Sequence, residues 1–300
     1  MGAFTSEDLR DLRPDHDFFI GLDSDGCVFD SMTIKQCEYF HPLIIEVWGL
    51  GMIGRQVRET ATFVNLGSVW RGQNRFVALL KMFELLAERA DVRASGIVLP
   101  DIESIRDYVD SGVPLGDPSL ELAVARDGRP EWRRMLAWSR AVNRAIDARL
   151  APIPPFAGAT EALQRMAAVA DVMVVSQTPE TALVSEWREH AIDGFVRLIA
   201  GQEIGTKAEH IRLAASNKYA DGHILLIGDA PGDLAAAREA GVRFYPVVPG
   251  QETESWRQFN TTFLDCFLAG QYGQTEEKVQ IDAFLAALPD KPSWTVLDES

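Results

Sequence analysis

At 300 residues and 33.2 kDa the chain is about twice the length of an ordinary domain, so one large domain or two ordinary ones are expected. Hydrophobic residues make up 47% and charged residues 24%, which supplies a sizeable core and excludes a disordered or collagen-like protein. Twenty-nine basic residues against 44 acidic ones leave a net charge of −15, which repels phosphate backbones and anionic lipid, so neither nucleic acid nor a membrane surface is an expected partner.

The first residues, Met1 to Asp17, are dotted with charge and lack the apolar core of a signal peptide. No apolar run nears the roughly 20 residues that a membrane span needs. Gly2 followed by Ser6 fits the loose N-myristoylation pattern, whose free positions make chance matches common. Cys27, Cys37 and Cys266 are odd in number and have no metal-knuckle spacing, which points to a reducing, cytoplasmic home.

Phe18 to Leu22 is a short apolar run of the kind buried in a parallel sheet. A helix-rich stretch follows over residues 31–150. In it Phe76, Leu79, Leu80, Phe83 and Leu86 recur at helical spacing, with Lys81, Glu84 and Glu88 off that face. Pro152, Pro154 and Pro155 cannot continue a helix and read as a linker. Beyond them helices and strands alternate. Helical segments are expected at 159–168, 180–190, 208–216 and 231–240, with strands at 172–175, 195–199, 224–227 and 244–248. Such alternation predicts an α/β fold with a doubly wound parallel sheet. The strand before residue 31 is stranded unless it joins that sheet, so residues 31–155 read as an insertion between 1–30 and 156–250. Residues 251–300 carry two apolar stripes, Trp256/Phe259/Phe263/Phe267 and Ile281/Phe284/Leu285/Leu288. Packing on the core is the plain expectation for both, and a homodimer contact is the alternative.

Ligands of open α/β sheets bind at the carboxyl ends of strands, and polar groups gather at these ends. The first strand runs into Asp23-Ser24-Asp25-Gly26, the second into Ser176-Gln177-Thr178, and the fourth into Gly228-Asp229, with Asp233 one turn later. Asp23 and Asp25 are two positions apart, which puts them on one side of an extended chain. Paired carboxylates resist joint ionisation unless a cation or proton sits between them. A hard divalent ion, Mg²⁺ above all, suits such an oxygen-rich cluster, completed by Asp229. An EF-hand loop is excluded because its glycine belongs at the sixth position and Gly26 is fourth. Asp229 and Asp233 flank Pro231, which opens a helix. Asp233 either orients the ion's ligands or merely favours a first helical turn.

Thr206 and Glu209 match a capping box, making Lys207 the first helical residue. A cation there opposes the helix dipole by roughly 0.3–1 kcal/mol unless something anionic lies nearby. Ser176 precedes a helix that Thr178 is expected to cap and Pro179 to open, so its hydroxyl and the following N–H groups suit phosphate oxygens. In the insertion, Arg71, Asn74 and Arg75 stand near the start of the helix at Phe76. They either meet a second anionic group of a substrate or are simply solvated.

In this order the four motifs, Asp23-Ser24-Asp25-Gly26, Ser176, Lys207 and Gly228-Asp229 with Asp233, resemble those of the haloacid dehalogenase (HAD) superfamily of hydrolases. The resemblance covers about residues 16–30 and 156–250. It implies a Rossmann-like catalytic core over 1–30 and 156–250, a helical cap domain over 31–155, larger than the usual small cap, and a helical C-terminal extension over 251–300. It also implies Mg²⁺ dependence and hydrolysis of a small phosphorylated metabolite. Asp23 would be the nucleophile and Asp25 the general acid and base. Ser176, with Gln177, and Lys207 would hold the phosphoryl oxygens. Asp23, the backbone carbonyl of Asp25, and Asp229 would bind the ion, supported by Asp233. The presence of Asp25 favours phosphate monoesters over halides or phosphonates. Two other outcomes fit the same motifs: a phosphomutase, and a catalytically idle HAD-fold binding protein. Release of inorganic phosphate separates hydrolysis from both.

Overall fold

The computed structural model describes residues 4–295, so Gly2 lies outside the described residues. The chain divides into two compact units, Met1–Met32 with Pro152–Leu288, and Thr33–Ala151 with Pro289–Ser300.

The first unit holds five strands: β1 Phe19–Leu22, β2 Asp171–Val175, β3 Leu198–Ala200, β4 Ile224–Gly228 and β5 Arg243–Pro246. They form one all-parallel α/β sheet in the order β3-β2-β1-β4-β5. The chain therefore winds outward from β1 to β3 and then returns to the other side of β1. A strand order that reverses in this way opens a crevice at the carboxyl ends. Register makes those ends level, because Leu22 lies opposite both Val174 and Ile227.

The strands are apolar on both faces, which is why they read as unbroken runs rather than alternating ones. Phe19, Met173, Val175, Leu226 and Phe244 join a cluster with Ile211, Leu234 and Phe284. Their neighbours Ile20, Leu22, Val174 and Ile227 are buried as well. Departures from the expected strands are local. Residues 193–195 form a 3₁₀ turn and β3 begins only at Leu198, since Arg197 turns its guanidinium to Asp15 and the buried Asp171. The last strand starts and stops earlier than expected, at Arg243 and Pro246. Proline is tolerated there because β5 is an edge strand.

The tail contains helical segments Glu252–Gln258, Phe259–Phe263 and Leu264–Leu268, then Gln274–Ala286. The segment Phe259–Phe263 is a π-turn, which adds a residue to the turn and leaves Phe263 only half-buried while Trp256, Phe259 and Phe267 are covered. In the second stripe Phe284 and Leu288 are buried, whereas Leu285 is exposed, contrary to the expected face. Glu277 accepts hydrogen bonds from the Phe244 N–H and from Arg243, so this helix covers the free edge of β5. The stripes are thus spent largely within the chain. The described residues from Pro289 onward group with the helical unit rather than with the sheet.

The second unit is helical. Its main helices are His41–Val47, Gly54–Leu66, Arg75–Glu88, Ile102–Val109, Asp117–Asp127 and Pro130–Arg149. All five members of the expected stripe from Phe76 to Leu86 are buried in its core beside Val57, Tyr108 and Trp138. No helix among the described residues is long and apolar enough to cross a membrane.

Candidate active site

The chain leaves β1 with one more ladder bond, Asp23 N–H to the Ile227 carbonyl at 3.0 Å, and then turns sharply. The Ser24 carbonyl accepts from the N–H groups of Cys27, Val28 and Phe29. Gly26 supplies the left-handed residue that this turn needs, at φ +80°. Asp23 is left buried, with its Oδ1 accepting the Ser24 N–H at 2.8 Å. The turn ends the extended chain after Asp23, and the Asp25 carboxylate does not join the buried acidic group that its spacing predicts. Its two carboxylate oxygens accept from the hydroxyls of Ser31 and of Thr178, the latter at 2.6 Å.

At the end of β4, Pro231 opens the helix Pro231–Ala240, and Asp233 in its first turn accepts the N–H groups of Asp229 (3.2 Å) and Ala230 (3.0 Å). Gly228 makes room for this, because a Cβ there would lie 2.3 Å from the Asp233 carboxyl carbon. Asp233 therefore is a first-turn capping residue, as its position suggests, and also more than that. Its other oxygen receives the Lys207 ammonium at 2.5 Å.

Lys207 is the first residue of the helix Lys207–Ala215, and the Thr206–Glu209 capping box is formed as expected. The anionic group that the dipole argument calls for is present twice over. The ammonium sits 2.7 Å from Asp23 Oδ2 as well as against Asp233. Asp23, Asp229 and Asp233 each offer a carboxylate oxygen, and these atoms lie within 4.8 Å of one another, all buried. The side chain of Asp25 is not among them, which leaves its backbone carbonyl as the group it can offer an ion.

Burial pushes the Asp23 carboxyl up to about 8; Lys207 opposes the shift, and the Asp233 and Asp229 carboxylates reinforce it. Burial also works against the Lys207 ammonium, but Asp23 and Asp233 outweigh it and hold the group charged, above the usual lysine range. Three buried carboxylates converge on one ammonium, so the group is all-oxygen and predominantly acidic. A buried surplus of that kind is costly without a counter-ion, and a hard, all-oxygen donor set suits Mg²⁺. The residues present therefore fit the ion that the motifs imply.

This electrostatic balance has a measurable consequence. A raised carboxyl pKa gives stability that is present below the ordinary carboxylate pKa and lost as pH rises toward about 8. The metal-free protein should lose thermal stability across that window, and Mg²⁺ should raise Tm more at about pH 8 than at about pH 5, because a proton on Asp23 competes with the ion. Thermal melts at both pH values check this; an Mg²⁺ effect that is absent, or larger in acid, would contradict it.

Ser176 follows β2, is buried, and accepts the Thr178 N–H at 3.2 Å through its hydroxyl. Its helix begins at Glu180, the expected start, but Pro179 stands in the capping position instead of opening the helix. Thr178 does not cap it. The residue before proline is held extended, and the Thr178 hydroxyl turns to Asp25 instead. Gln177 is exposed, and its amide donates to the Gly205 carbonyl at 2.9 Å. Thr178 and Ser31 are thus site residues that sequence reasoning missed.

Arg71, Asn74 and Arg75 make contacts inside the helical unit, so the two arginines are not simply solvated. Buried Arg71 donates to the Leu66 carbonyl at 2.9 Å, and Asn74 caps its helix through the Phe76 N–H at 2.9 Å. Arg75 reaches Asn143 (2.8 Å) and the Ser139 hydroxyl (3.0 Å), with its guanidinium 5.1 Å over the Phe40 ring. Long cationic side chains that bury their stems beside aromatic rings serve packing as much as charge.

No protein-family model matches the sequence, and no curated protein matches it. Among the solved structures similar to the chain are two hydrolases of the haloacid dehalogenase-like kind. A hydrolase of the haloacid dehalogenase-like family from Streptococcus pneumoniae is 17% identical, over 80% of this chain and 90% of that one, with a TM-score of 0.40. A HAD-superfamily hydrolase of subfamily IA, variant 1, from Geobacter sulfurreducens is 15% identical over 78% and 89%, with a TM-score of 0.39.

Proposed function

We propose that this protein is a Mg²⁺-dependent phosphatase of the HAD type, hydrolysing a small phosphorylated metabolite through an aspartyl-phosphate on Asp23. The observation that carries this reading is the buried contact of Asp23 with Lys207 at the carboxyl end of β1, inside a cluster with Asp229 and Asp233. Lys207 opposes the upward push of burial on Asp23, and a bound cation would complete the ionisation that a nucleophile needs.

In the first half-reaction an Asp23 oxygen forms a bond to phosphorus as the ester P–O bond breaks, and Asp25 gives its proton to the leaving oxygen. In the second, Asp25 takes a proton from water, whose oxygen attacks phosphorus and returns Asp23 to a free carboxylate. Ser31 and Thr178 hold both oxygens of Asp25 and so fix where that proton is delivered. Lys207 and the Ser176 hydroxyl, with the backbone N–H that follows it, would hold the phosphoryl oxygens. Asp23, Asp229 and the Asp25 carbonyl, braced by Asp233, would hold Mg²⁺, which would supply masking of the negative charge between carboxylate and phosphoryl group. The odd cysteine count suits the reducing, cytoplasmic setting proposed for the enzyme.

The test is a panel of phosphorylated metabolites and an aryl phosphate, assayed for phosphate release with Mg²⁺ and with a chelator. Mg²⁺-dependent release from at least one ester supports the reading. Isomerised sugar phosphate without net release would replace it with a phosphomutase. Release no greater than that of Asp23→Asn across the panel would overturn it.

A further inference from the structure

The turn that carries Asp23 and Asp25 is gripped by two tryptophans that the chemistry above does not use. Ser24, between the two aspartates, is wholly buried, and its hydroxyl accepts the indole N–H of Trp187 at 3.0 Å. Trp187 is itself fully buried in the helix Glu180–Glu189, and its ring meets Phe29 edge-on at 6.0 Å. From the helix Glu252–Gln258, buried Trp256 donates its indole N–H to the Cys27 carbonyl at 2.9 Å. A hydroxyl and an indole N–H placed in an apolar interior cost free energy unless they meet, and once met they fix one geometry.

We infer that Trp187, acting through Ser24 and seconded by Trp256 on Cys27, is a positioning residue that sets where the Asp23 carboxylate stands. The Ser24 amide is bonded to Asp23 Oδ1, and the Ser24 carbonyl gathers three N–H groups of the turn. A shift of Ser24 is therefore a shift of the nucleophile. The helix that carries Trp187 begins two residues after Thr178, which holds Asp25. One rigid helix thus registers both carboxylates, and registration matters because a displacement of about 1 Å costs up to about a hundredfold in rate.

The kinetic arm of the test rests on the phosphatase reading; the exchange arm does not. Trp187→Phe keeps an aromatic ring but loses the N–H and part of the indole volume, Ser24→Ala removes one oxygen, and the double variant removes both hydrogen-bonding partners. Each single variant is expected to lower kcat by about tenfold or more with KM within about twofold. The double variant should match the singles in kcat rather than multiply them, while its thermal stability recovers, since neither buried group is left unmatched. Full kcat in both singles, multiplied losses, or a kcat that recovers along with stability would overturn the inference, the last by marking a purely structural bond. Amide exchange at residues 24–29 should quicken in Trp187→Phe and Ser24→Ala while the helix Lys207–Ala215 keeps its protection. Unchanged exchange would overturn the grip whether or not the wild-type protein turns over phosphate. Ser24→Ala carries the same test should Trp187→Phe fail to fold.

Discussion

Replacing Asp23 by Asn should abolish Mg²⁺-dependent phosphate release, with kcat falling at least about a thousandfold, the scale seen when a covalent nucleophile is removed. The loss should not be one of folding. In the metal-free protein the Asp23 carboxyl is pushed up by burial and by its acidic neighbours, so an uncharged amide of nearly the same shape relieves repulsion. Asp23→Asn should therefore melt no lower than wild type without Mg²⁺ near pH 8, while gaining less from added Mg²⁺. Phosphate-release assays beside thermal melts check both halves. A variant that is inactive only because it is unfolded, or one that keeps its activity, would each contradict the assignment.

The second large effect is expected at Asp25. Its carboxylate lies outside the buried acidic group and is bonded by Ser31 and Thr178, so Asp25→Asn should leave Mg²⁺ binding nearly intact and remove proton transfer. That loss is worth about a hundred- to ten-thousandfold, and its size should depend on the leaving group. An alkyl phosphate, whose alkoxide needs a proton to depart, should lose the first half-reaction. A nitrophenyl phosphate should still give a burst of phenolate, after which the phosphorylated protein accumulates because no base activates water. Rapid-quench kinetics with the two esters separates these outcomes; equal losses with no burst would remove Asp25 from the role of acid and base. Thr178→Val should lower kcat in the same direction but less steeply, since Ser31 continues to hold the other oxygen.

Much of this site is legible in the sequence because its signals are local. Asp23, Ser176 and Asp229 follow continuous apolar runs, and a run buried on both faces of a parallel sheet announces where it ends. Lys207 stands out through its capping box and its unfavourable place on a helix dipole, and the structure supplies the two carboxylates that this anomaly demands. What stayed hidden depends on which segments meet. Thr178 reaches Asp25 across 153 positions of sequence, and Trp187 reaches Ser24 across 163. No local pattern encodes such a pairing. Thr178 nonetheless carried a clue, since the residue before a proline is held extended and its hydroxyl is poorly placed to cap the helix that follows. Arg71 and Arg75 are ambiguous for the opposite reason. An arginine that closes a core beside aromatic rings and one that awaits an anion have the same local sequence, and only the partners Leu66, Ser139 and Asn143 tell them apart.

The central claim is that Asp23 accepts the phosphoryl group. The most direct measurement is to quench the protein in acid during turnover of an active ester with Mg²⁺, digest it, and locate the phosphoryl group by mass spectrometry, using Asp25→Asn to enrich the intermediate. A single labile acyl phosphate is expected, on the peptide that contains Asp23 and on that side chain, formed as fast as the burst. Turnover with no phosphorylated peptide, or a phosphoryl group on any other residue, would contradict it.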